Sequence, residues 1–240
     1  MRQFDVFVWG GEEEFTPPFT DSALEWFLGN DFNAGLEKSE AEWIVFAHKN
    51  INIDRRFLND LADTIAGYPM VDAFAPRINY TSARTFLSGY RLDARKGLDM
   101  LDENAAMRFV ATPHPLLAVF SRRIVQRTGA FDQSLCIPVQ LVDYAFRMLH
   151  AGGKMFSVPS LVACLAPETN VPASASPNEH ADDLALALVK AFGYWKNRKF
   201  LLRHASMLRT LWNKRKELEK MRDKAILLSK LDKKFLDDLA

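Results

Sequence analysis

The stretch Trp43-Ile44-Val45-Phe46-Ala47-His48-Lys49-Asn50, with Asn33-Ala34-Gly35-Leu36 ahead of it and Phe57-Leu58 behind, decides the fold. Its apolar run has no alternation, which predicts a strand covered on both faces in a mostly parallel sheet. The polar triplet His48-Lys49-Asn50 then falls at the strand's carboxyl end, where open α/β sheets bind ligands. Residues 54–66 follow with Phe57, Leu58, Leu61 and Ile65 at helical spacing, and Gly67 closes that helix.

The same reading extends in both directions. Residues 4–9 are a β-rich run stopped by Gly10-Gly11, hence a strand entering a turn. Residues 22–28 and 33–38 read as short helical pieces. Strands are expected at 71–78, 116–120, 155–158 and 161–165, the last two split by Pro159. Helices are expected at 124–129 and 139–151, while residues 79–107 are polar, mixed and carry no clear period. Strands alternating with helices define an α/β layer architecture. Residues 172–178 read as a linker, and 179–240 as a helical extension with Gly193 as its candidate break.

Composition narrows the function classes. No run of about 18 apolar residues occurs, so no segment reads as a membrane span. The apolar run near Met1 is too short for a signal-peptide core, and Cys136 and Cys164 lack metal-site spacing. A reducing cytoplasm is the expected setting. The net charge of +1 conceals a split: residues 196–240 hold 14 Lys/Arg against 6 Asp/Glu, and the rest is net acidic. In the basic segment Leu208, Leu211, Leu218, Met221, Ala225, Leu228, Leu231, Phe235 and Leu239 form one apolar stripe. Such a stripe covers its own domain, meets a second copy in a homo-oligomer, or lies on anionic lipid as a peripheral contact at the inner membrane face. Nucleic acid is the weakest partner reading, because the basic residues belong to no nucleic-acid-binding module.

Two stretches resemble family-2 glycosyltransferases of the GT-A fold. The first is the opening one, where the family's Asp-x-Asp falls on His48-Lys49-Asn50. The second runs through Ala118-Val119-Phe120-Ser121-Arg122, Thr128-Gly129-Ala130-Phe131-Asp132, Asp143-Tyr144-Ala145-Phe146-Arg147 and Gly152-Gly153. It is similar to the family's acceptor half, with its G-x-F-D turn and E-D-x-D-x-x-x-R helix. The resemblance implies a mixed sheet flanked by helices over residues 1–171, with a shortened nucleotide half. It further implies inverting transfer from a nucleotide-sugar donor to a saccharide or lipid-linked acceptor, in surface polysaccharide or lipopolysaccharide assembly. By it, Trp9, Gly10, Asn33 and His48 face the donor, and His114 and Arg147 face the acceptor.

Both acidic motifs are altered. The Asp-x-Asp carboxylates hold Mn2+ or Mg2+ on the donor diphosphate; here the positions carry His48 and Asn50, weak replacements without negative charge. Aligned on Arg147, E-D-x-D becomes Gln140-Leu141-Val142-Asp143, so the base position is Leu141. Asp143 and Asp132 are the remaining candidate bases. His48 and Asn50 equally suit ordinary strand-end polar roles, and Asp143 equally suits a partner for Arg147 four residues on. A non-catalytic GT-A-like protein that binds a saccharide or scaffolds an active glycosyltransferase is the alternative function. His150, His180 and His204 share no metal-ligand spacing.

Overall fold

A computed structural model of the chain describes residues 2–11, 16–80, 85–93, 95–101, 107–166 and 176–196, with 201, 211, 216, 218 and 220 singly. Strand β3 (Trp43–His48) is buried along its whole length, as its continuous apolar run requires. Parallel β1 (Phe4–Trp9) lies on one side of it, with Trp9 opposite His48. Outside β1 runs β2 (Leu24–Leu28), also parallel, and not the helical piece expected there. Leu24, Phe27 and Leu28 mimic a helical stripe, but the aromatic pair Trp26-Phe27 suits a pleated surface and Gly29, at φ +144, ends the segment.

Helix α1 (Phe32–Lys38) connects β2 to β3 and is capped by Asp31, whose carboxylate accepts from the Asn33 and Ala34 amides. After the short β4 (Ile51–Asn52), α2 (Arg55–Gly67) starts at Asp54, which accepts from Phe57 N–H at 2.7 Å. β5 (Ala73–Tyr80) then enters the sheet and pairs with β6 (Thr85–Leu87). The stretch without a clear period contains a hairpin of β7 (Tyr90–Asp93) and β8 (Gly97–Met100), and the short β9 (Arg108–Phe109). β10 (Leu117–Ser121) lies antiparallel between β3 and β5.

Helices α3 (Arg122–Thr128) and α4 (Ile137–His150) follow, and β11 (Met155–Leu165) closes the sheet in the order β2-β1-β3-β10-β5-β11-β4. Pro159 does not split β11 as expected. Its missing N–H is absorbed at a register shift between Val158 and Val162 against β5.

Helix α5 (Ala181–Lys196) runs through Gly193 without a break. It lays Leu184, Ala185 and Leu188 on Val139, Val142 and Phe146 of α4, and the β7–β8 hairpin adds Tyr90 and Leu98 to the same cluster. Of the predicted basic stripe, Leu211 and Leu218 are buried in that cluster; Leu208, Met221, Ala225, Leu228, Leu231, Phe235 and Leu239 lie outside the described residues. No described helix is long and apolar enough to cross a membrane.

Candidate functional site

The parallel strands β1 and β3 end side by side, and their carboxyl edge gathers Trp9, Gly10 and His48 of the residues expected to face a donor. Lys49 N–H donates to the Trp9 carbonyl at 2.9 Å, and His48 N–H to the Leu116 carbonyl at 2.8 Å. The Trp9 and His48 rings meet edge to face at 4.6 Å. Gly10 adopts φ +91, and a Cβ there would lie 2.4 Å from His48 Nε2, so the imidazole rests directly on the glycine backbone. His48 Nδ1 accepts from Asn50 N–H at 3.2 Å. In the neutral ring this puts the proton on Nε2. Burial, with Lys49 adding to it, pushes the imidazole pKa down to about 4.

Both ring nitrogens of His48 are therefore turned into the protein. Mn2+ and Mg2+ favour oxygen ligands and carboxylate charge. Among the described residues no three His, Cys, Asp or Glu side chains converge as a metal cluster. The residues at the end of β3 do not fit a divalent cation.

The two candidate bases are joined by a residue that the motif reading did not foresee. Lys190 of α5 sets its ammonium 2.6 Å from Asp132 Oδ2 and 2.9 Å from Asp143 Oδ1. Arg147 holds the other oxygen of Asp143 at 2.7 Å, donates to the Thr128 and Ala130 carbonyls, and lies over the Tyr144 ring. Asp143 is 2% exposed, so two cations saturate a carboxylate that solvent scarcely reaches. Leu141, which the resemblance aligns with the family's base, is fully buried. Asp132 is the more open acid; burial raises its pKa, but hydrogen bonds from Lys190 and Ser134 outweigh that and hold it near 2. A carboxylate so acidic is a weak proton acceptor at neutral pH. Lys190 was legible only as the one charge in the apolar run 184–192.

Asn33 spends its side chain on the acceptor-half turn: its Nδ2 donates to the Phe131 carbonyl at 3.1 Å, and its Oδ1 accepts from Phe131 N–H at 2.7 Å. Phe131 in turn stacks on Tyr144 at 4.0 Å and touches Phe32 and Phe46. The structure thus gives Asn33 the task of tying α1 to the Gly129–Asp132 turn.

His114 precedes β10, near the carboxyl edge of β3. Its Nδ1 accepts from Leu116 N–H at 3.2 Å and its ring stacks on Tyr90 at 5.6 Å. Burial drives its pKa to about 3. A cleft of about 360 Å³ opens at the opposite, amino-terminal end of β3, lined by Trp43, Val71, Arg122 and Arg123 among others. Trp43, Ser121 and Arg122 of the motif stretches line it, and none of the candidate donor, metal, base or acceptor residues does.

A mixed, curled sheet flanked by helices, with an antiparallel strand wedged between parallel ones, defines this chain as a GT-A-like fold. The structure is similar to GalNAc-T7 with UDP, GalNAc and Mn2+, at TM-score 0.68 and 11% identity over 99% of this chain. The chain spans 56% of that protein's length. It is also similar to S. aureus TarS 1–349 in complex with UDP-GlcNAc (TM-score 0.49, 13% identity, 93% of this chain, 79% of that one). A third similarity is to the mannosyltransferase PcManGT from Pyrobaculum calidifontis with GDP-Man and Mn2+ (TM-score 0.44, 15% identity, 95% and 85%). No family model and no curated protein matches the sequence.

Proposed function

We propose that this chain serves glycan assembly as a glycosyltransferase-like binding protein that holds a nucleotide-sugar at the carboxyl edge of β1 and β3 without running metal-and-carboxylate transfer. One observation carries the reading: the chemistry-bearing positions are spent inside the protein. His48 seals Gly10, Leu141 fills the base position, and Asp143 is clamped by Arg147 and Lys190. Support for the nucleotide-sugar is the likeness in fold to GalNAc-T7 with UDP. The setting, surface polysaccharide or lipopolysaccharide assembly with a saccharide or lipid-linked acceptor, follows from the family-2 resemblance. On this reading residues 1–171 carry the ligand edge, and the basic stretch of 179–240 reaches a partner glycosyltransferase or the membrane face.

An active enzyme is the second reading. Its support is the acceptor half, whose Gly129–Asp132 turn and Asp143–Arg147 helix are fully formed. Asp132, 27% exposed, is its base. Titration of UDP-, GDP- and dTDP-sugars by calorimetry, followed by an assay for free nucleoside diphosphate, separates the two. Binding without turnover supports the proposal. Turnover that Asp132→Asn abolishes establishes the enzyme, and binding of none of the sugars removes both.

A further inference from the structure

The proposal above leaves the charge of a bound diphosphate without a counter-ion, because the residues at the end of β3 do not fit a divalent cation. Lys49 stands at that place. Its side chain is exposed, and its stem crosses the glycine turn: a Cβ on Gly11 would lie 2.9 Å from Lys49 Cδ and 3.4 Å from Nζ. The ammonium is thus held above the main chain of Gly11, in register with the end of β1 through the Lys49 N–H bond to Trp9. Among the described residues no carboxylate lies within ion-pair distance of it.

Lys49 supplies the charge of the edge formed by Trp9, Gly10, Gly11, His48 and Lys49, because His48 is uncharged at neutral pH. The Trp9 indole Nε1–H is buried there with no hydrogen-bond acceptor. Among the described residues this edge presents an ammonium and no carboxylate, a combination that favours an anion rich in oxygen acceptors.

We infer that Lys49 takes the place of the divalent cation: the edge binds a nucleoside diphosphate directly, with the ammonium as counter-charge to the phosphates and no metal between them. This rests on the nucleotide-sugar reading and adds to it how the phosphates are held. It also predicts that a plain nucleoside diphosphate suffices as ligand, because the recognised charge is on the phosphates.

The test is calorimetric titration of the full chain with UDP and with GDP, in excess EDTA and again in Mn2+. The two conditions should give dissociation constants that agree within about twofold. Lys49→Gln should weaken binding about tenfold or more, as loss of a charge-assisted contact does, and Lys49→Arg should restore most of it. Lys49 is exposed, so neither variant should disturb folding. Binding that appears only with Mn2+ overturns the inference, leaves the nucleotide-sugar reading standing, and points to Glu12, Glu13 and Glu14, which follow the glycine turn in sequence, as metal ligands. Metal-free binding that Lys49→Gln leaves unchanged also overturns it. Failure of both UDP and GDP to bind in either condition, while a UDP- or GDP-sugar binds, overturns the phosphate-led recognition alone; failure of all of them removes the reading beneath it.

Discussion

Replacing Lys190 with Met should be the most damaging single change to the buried ion network. Lys190 is 13% exposed and bridges Asp132 and Asp143, so its loss leaves two carboxylates and only one cation, Arg147. Breaking a buried pair by removing one partner costs roughly 3–5 kcal/mol. Arg147 still holds one Asp143 oxygen and Asp132 keeps its bonds from Ser134, which places the expected loss at the low end, about 3 kcal/mol. Urea unfolding followed by fluorescence should show a lower midpoint at an unchanged slope. Adding Asp143→Asn should recover part of the loss, because the double variant no longer carries an excess buried charge, and the coupling between the two sites should exceed about 0.5 kcal/mol. A Lys190→Met midpoint within error of wild type would refute the network as drawn. So would strictly additive effects in the double variant.

Three further outcomes follow from the geometry. Gly10→Ala should destabilise by about 1–3 kcal/mol, because φ +91 disfavours a side chain and the new Cβ would strike His48; His48→Ala in that background should return part of it, by thermal melting. Asn33→Ala should cost about 2 kcal/mol through loss of its two bonds to the Phe131 backbone, and amide exchange in the Gly129–Asp132 turn should rise. The buried histidines set the acid response: with folded pKa values near 4 for His48 and 3 for His114 against an ordinary 6.5, the unfolded chain takes up protons first. Stability should therefore be complete above about pH 6.5 and fall as pH drops toward 4, and His48→Gln should flatten that slope in urea midpoints measured across pH.

Much of the architecture is legible in the sequence because it is written locally. The run Trp43–Ala47 has no alternation and could only be a strand covered on both faces, and Asp54 three residues before Phe57 announces the start of α2. The segment of β2 reads as helical because Leu24, Phe27 and Leu28 satisfy a helical period as well as Leu24, Trp26 and Leu28 satisfy a strand one; only pairing with β1 decides between them. The β7–β8 hairpin is hidden by charged Arg91, Asp93 and Asp99 on its outer face. The candidate site divides the same way. That His48 and Asn50 stand at the end of β3 follows from spacing. That His48 plugs Gly10, or that Lys190 crosses to Asp132 and Asp143, depends on contacts between distant segments, which no local pattern encodes.

The central claim is that the carboxyl edge of β1 and β3 is a ligand edge, and the Trp9 indole reports on it directly. In a ¹⁵N-correlated spectrum its Nε1–H signal, assigned by its loss in Trp9→Phe, should shift on titration with a nucleotide-sugar together with the Gly10 and Gly11 amides. Trp26 and Trp43, on the outer strand and at the far end of β3, should stay in place. Shifts confined to Trp43 and the cleft beside Arg122, with Trp9 and its glycines unmoved, would put the ligand at the wrong end of the sheet and contradict the account.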